Sequence, residues 1–152
     1  MVMNDPSARP GDLRCRRERG DVPASVQAVL LPHHWDLDRL LELDLPRAMV
    51  ATSDYEWMLD IPMWRDERGI WFTVTPNQVR TEPDRHPTQW DRTLRADLEV
   101  PIHITQREGR SVIIDGIHRL LKAVISGQGS LPARVVKVDD WPSFEDGPLD
   151  GP

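Results

Sequence analysis

Apolar positions follow two rhythms along this chain, and the switch between them is sharpest around residue 115. Val112, Ile113 and Ile114 form a short β-branched run between a Glu108-Gly109-Arg110 turn and Asp115-Gly116, the pattern of a buried strand. Immediately afterwards Ile117, Leu120, Leu121 and Val124 fall at i, i+3, i+4 and i+7, which predicts a helix with one apolar face packed on a sheet. Further strands are predicted near residues 47–51, 70–74, 100–105, 110–114 and 133–138. A short amphipathic helix is expected over residues 35–43, with Asp36 and Asp38 near its start. Two more open at Pro76 and Pro87, each proline at a first helical position, and the second carries Trp90, Leu94 and Leu98 on one face. Ser53 and Glu56 have the spacing of a capping box, and Gly127 is placed to end the main helix. In the strand at 100–105, Ile102 and Ile104 share one side, so His103 is expected toward solvent or at a partly covered edge.

This alternation predicts a small α+β (or α/β) domain, a mixed sheet with helices packed around it. The 152 residues suit one domain over 26–142, with a disordered N-terminal arm at 1–25 and a disordered acidic tail at 143–152. Hydrophobic residues make up 39% and charged residues 29%, and with no apolar run of membrane-spanning length a cytoplasmic protein is expected. The single cysteine, Cys15, excludes an internal disulfide and a cysteine-based zinc site. A net charge of −6 disfavours nucleic acid as a partner, although Arg14, Arg16, Arg17 and Arg19 make a local basic arm interrupted by Glu18. His33-His34 lacks a third ligand at helical spacing, which favours a structural role over metal.

Candidate chemistry concentrates where the strand turns into the helix. His118, Arg119 and Lys122 lie off the apolar stripe in the first turns, where backbone N–H groups lack helical partners and the dipole favours an anion. Gly116 would let a ligand approach the main chain, so Gly116, Ile117, His118, Arg119 and Lys122 form a candidate phosphate cradle. The competing reading is an ordinary Asp-Gly turn with a solvated cationic helix face. Upstream, Trp57, Leu59, Ile61, Pro62, Met63 and Trp64 make an aromatic-rich corner, either core or a wall for a base or small substrate. Asp60, between Leu59 and Ile61, is a candidate general base in an apolar setting.

Pro101-Ile102-His103-Ile104, the Gly109 turn, Val112 to Arg119, Ala123, Gly127 and Arg134 to Val138 together resemble the ParB/sulfiredoxin superfamily. The likeness is clearest over residues 98–138 and extends back toward residue 48. It implies a Gly-x-[His/Arg]-Arg helix start that holds nucleotide phosphates. The departures are informative. Sulfiredoxins carry a nucleophilic cysteine where this chain has Ile117, so thiolate chemistry is excluded at that position. Chromosome-partitioning ParB proteins have Glu-Arg-Arg where this chain has Ile117-His118-Arg119, and a helix-turn-helix module for which little sequence remains here.

The Asp-Gly-x-His-Arg form is closer to the free serine kinases of the superfamily. By that resemblance the leading expectation is a nucleotide-dependent phosphotransferase, a kinase acting on a small hydroxy amino acid with ATP, ADP or CTP and Mg²⁺. Gly116 to Arg119 would hold the transferring phosphate, and His118 would donate to it. Asp115 would orient His118, bind substrate or help hold Mg²⁺, and Asp60 would serve as base. The alternatives are a nucleotide-binding switch or interaction module without turnover and, with weaker support, a ParB-like DNA-binding protein or nuclease.

Overall fold

The computed structural model describes residues 22–148. The arginine-rich arm with Cys15 therefore lies outside the described residues. Within 22–25, the end of the predicted arm, Val22 packs against the main core and helix α1 (Ala24–Gln27) begins.

The fold is α+β, with two sheets. β2 (Arg47–Ala51), β5 (Ser130–Val135), β3 (Ile102–Arg107) and β4 (Arg110–Asp115) form a mixed four-stranded sheet in that spatial order. Its β2–β5 and β3–β4 pairs are antiparallel and its β5–β3 pair is parallel. Pro132 tolerates its central strand because pairing with β3 begins only at Ala133, opposite Ile102. β4 is an edge strand, and the edge is covered: the Ile113 N–H donates to Met58 Sδ at 3.2 Å from the 3₁₀ turn Glu56–Asp60. A second, two-stranded sheet pairs β1 (His33–Trp35) with β6 (Glu145–Pro148).

Helix α5 (Ile117–Ser126) packs on β5 and against α3 (Pro76–Thr81) and α4 (Pro87–Arg95). Its predicted stripe is the one buried, through Leu120 and Leu121, and these join Ile102, Val112, Leu131 and Met58 in the main core. A smaller cluster of Leu31, Trp35, Leu40, Leu45, Val136 and Phe144 lies under α2 (Leu37–Glu42), and Ile114 touches both clusters. No helix among the described residues is long and apolar enough to cross a membrane.

Several expectations are corrected by tertiary structure. Residues 70–74 are not a strand: the chain turns at Trp71-Phe72, where Phe72 takes φ 61°, and only Val74 bridges back, to Trp64. Ser53 and Glu56 do not cap a helix, because Thr52–Asp54 and Glu56–Asp60 are two short 3₁₀ turns, and the capping box lies instead at Thr75 and Gln78. On the face predicted for α4, Trp90 and Leu98 pack against the main core as partly buried side chains, but Leu94 is half exposed and the buried α4 side chains are Gln89 and Thr93. The expected tail at 143–152 is ordered in its described part. Phe144 is fully buried edge-on to Trp35, and Arg39 pairs with Asp146 at 2.8 Å, so β6 closes over β1.

Candidate functional site

The end of β4 and the first turn of α5 form one wall of a cavity of about 300 Å³. Asp115, Gly116, Ile117, His118 and Arg119 all line it. The facing wall comes from elsewhere: Trp64 and Trp71 on the loop before α3, and Gln89, Arg92 and Arg95 on α4. Leu30, Leu31, Trp35 and Met63 close the apolar side. Gly116 is the N-terminal boundary of α5, and no side chain caps the helix there. The first turn of α5, whose N–H groups lack helical partners, thus lines a cavity that Arg92, Arg95 and Arg119 also line.

The motif's own cations are turned to structural work. Arg119 Nη1 donates to the carbonyls of Val100 and Pro101, and its Nη2 donates to Asp115 Oδ2 at 3.1 Å. Lys122 Nζ donates to the carbonyls of Leu94 and Ala96 at 2.8 and 2.7 Å, tying the end of α4 to α5. The expected open guanidinium fork is therefore a clamp on the chain segment leading into β3. Gly116 is required for packing: at φ 121° an added Cβ would stand 2.5 Å from Ile102 Cγ2.

His103 is not solvent-facing. It is buried, at 2% exposure, because the β3–β4 register sets it opposite Asp115, and its Nδ1 lies 3.1 Å from Asp115 Oδ2. That oxygen also accepts from Arg119, so the imidazole Nδ1 acts as donor. Asp115 is thereby a carboxylate fixed between a guanidinium and an imidazole N–H.

His118 has a different setting. Its ring stacks on Trp64 with centroids 4.3 Å apart and planes 12° from parallel. Its Nε2 lies 2.8 Å from Gln89 Oε1, and Gln89 Nε2 donates to the Arg65 carbonyl at 3.3 Å. Arg65 itself is buried, with its guanidinium 5.5 Å from the Trp71 ring centre.

Asp60 does not join this group. It is exposed at the end of its 3₁₀ turn, accepts from Asn77 Nδ2 at 2.6 Å and is not part of the cavity lining. Asp115 Oδ2, on the carboxylate expected to help hold Mg²⁺, is engaged by His103 and Arg119, and the neighbouring cavity charges are Arg92, Arg95 and Arg119. Among the described residues no group of three or more His, Cys, Asp or Glu side chains is placed to hold a metal ion.

Sequence reasoning missed Gln89, Arg92, Arg95 and the burial of His103. The one available signal on α4 was its polar periodicity, Gln89, Arg92, Thr93 and Arg95 at helical spacing, which reads equally well as a solvated face. Compared with known proteins, the chain matches no family model, no curated protein and no solved structure.

Proposed function

We propose that the cavity binds a small phosphate-bearing ligand, with a nucleotide as the best-fitting class, and that the domain is a nucleotide-binding relative of the ParB/sulfiredoxin type. The observation that carries this reading is the meeting, in one cavity, of the uncapped α5 start, the side chains of Arg92, Arg95 and His118, and an aromatic and apolar wall. The anionic group would sit at Gly116, Ile117 and His118, at the helix start, in a cavity that Arg92, Arg95 and Arg119 also line. A heterocycle would lie against Trp35, Met63 and Trp71. About 300 Å³ is at the small end for small-molecule sites, which suits a ring with a short phosphate chain better than a fully enclosed triphosphate.

Binding without turnover is favoured over phosphotransfer through Asp60, since Asp60 is bonded to Asn77 and does not line the cavity. Transfer to a small hydroxy compound remains the second reading because His118 and Asp115 line the same cavity, where a proton carrier and a fixed carboxylate would face the ligand.

Calorimetric titration with AMP, ADP, ATP, CTP and inorganic phosphate tests the assignment. A nucleotide is expected to bind, and inorganic phosphate to bind more weakly because it lacks the ring. Failure of every nucleotide to bind the wild-type chain would overturn it. Nucleotide consumption in the presence of serine or a similar hydroxy amino acid would favour the phosphotransferase.

A further inference from the structure

The hydrogen bonds around Gln89 fix more than the position of His118. The Arg65 carbonyl can only accept, so the Gln89 amide must turn its NH₂ group toward it. The amide oxygen then faces His118 Nε2 at 2.8 Å, and an oxygen there demands a donor. Gln89 is 5% exposed and rooted on α4, and Trp64 holds the plane of the His118 ring by stacking. Turning the amide over would set two oxygens against each other at the Arg65 carbonyl.

We infer that Gln89 is a positioning residue that makes His118 a proton switch working at one nitrogen, Nε2 being held as a donor in both charge states while Nδ1 gains and loses the proton. The cavity then carries one more positive charge below the His118 titration than above it. For an anion, that charge adds to Arg92 and Arg95 from α4 and Arg119 from α5. It is opposed by Asp115 from β4, which His103 and Arg119 already engage, and by Asp91 on α4, which pairs with Arg95 at 3.1 Å. Lys122, one turn along α5, is held on the Leu94 and Ala96 carbonyls, and Arg65 approaches from the tryptophan loop. Anion affinity should therefore fall as pH rises through the His118 titration. This consequence rests on the reading of the cavity as an anion site, whereas the tautomer can be tested on the ligand-free chain.

The test is a long-range ¹⁵N–¹H histidine spectrum of the full chain across the titration, paired with sulfate binding, sulfate being an anion whose own charge is constant over that range. Neutral His118 is expected as a single tautomer, with pyrrole-type Nε2 and pyridine-type Nδ1. Gln89→Glu, which keeps the acceptor and adds a negative charge, should retain that tautomer and shift the titration upward, with the pH dependence of sulfate affinity moving with it. Gln89→Met, which removes the acceptor, should lose the single tautomer.

A wild-type Nδ1–H tautomer, or a mixture, would overturn the assignment whether or not either variant folds. An unchanged single tautomer in folded Gln89→Met would overturn the role of Gln89. If the tautomer is as inferred but sulfate does not bind at any pH, the anion reading of the cavity fails while the proton assignment stands.

Discussion

The two walls of the cavity anchor their cations differently. On the motif wall, Arg119 and Lys122 spend their donors on the carbonyls of Val100, Pro101, Leu94 and Ala96 and on Asp115. On the facing wall, Arg92 and Arg95 line the same cavity from α4, Arg95 in an exposed ion pair with Asp91 at 3.1 Å, beside Gln89 and the tryptophan loop. A motif with the pattern of a ligand site can thus be tied into the frame of a cavity while a neighbouring helix supplies other cations to its lining. The two histidines follow the same division: His103 is locked into the sheet beside Asp115, and His118 stands at the cavity between Trp64 and Gln89.

The largest effect is expected at Gly116. An alanine there combines a positive φ with a Cβ in the space of Ile102, so Gly116→Ala should cost about 4 kcal/mol of stability by denaturant titration. A loss below about 1 kcal/mol would mean that Gly116 is not a packing glycine.

Arg119→Met should come next, at about 3 kcal/mol. It leaves Asp115, 5% exposed, without its guanidinium and frees two carbonyls, and the same denaturant titration reads it. Removing the charges of Arg92 and Arg95 together should do the reverse. Arg92→Gln with Arg95→Gln is expected to weaken nucleotide or sulfate affinity about tenfold or more, on the scale of one charge-assisted contact, with a smaller loss of stability than Arg119→Met. Calorimetry and a melting curve on the same samples separate the two effects.

The smallest expected effect belongs to Asp66, in the loop between Trp64 and Trp71. Partial burial alone would raise its pKa, but hydrogen bonds from the Ile70 N–H and from Arg68 outweigh it and hold the carboxyl below its ordinary value. A carboxylate depressed in the folded state contributes stability that is fully present above the ordinary aspartate range. That contribution is lost as pH falls through the depressed folded value. Asp66→Asn should therefore narrow its stability difference from wild type as the solution is acidified toward and below that range, measured as denaturation midpoints against pH.

The sequence discloses what local pattern controls. Val112 to Ile114 and the stripe of Ile117, Leu120, Leu121 and Val124 appear as read, because period 2 and period 3.6 are intrinsic to strand and helix. The turn of Asp115-Gly116 into α5 and the glycine end at Gly127 were legible for the same reason.

What was not legible depends on partners distant in sequence. Alternation placed His103 away from the apolar pair, but it could not reveal that the β3–β4 register would bury it against Asp115. Ile70 to Val74 has strand-forming residues, yet Phe72 at positive φ turns the chain so that Trp71 faces the cavity. The acidic end of the chain hid β6, since Phe144 is a lone aromatic there and its burial depends on Trp35 and Leu40. Asp60 looked apolar from its neighbours Leu59 and Ile61, although the 3₁₀ turn points those two inward and leaves the carboxylate exposed.

The proposed place of ligand binding is one cavity, framed by the α5 start and faced by α4 and the tryptophan loop. Titrating AMP into ¹⁵N-labelled protein and following backbone amides and indole N–H signals tests it most directly. The Gly116, Ile117 and His118 amides, Gln89 on α4 and the Trp71 indole are expected to shift together along one saturable curve. Shifts confined to residues outside the cavity lining, or none at saturating AMP, would contradict it.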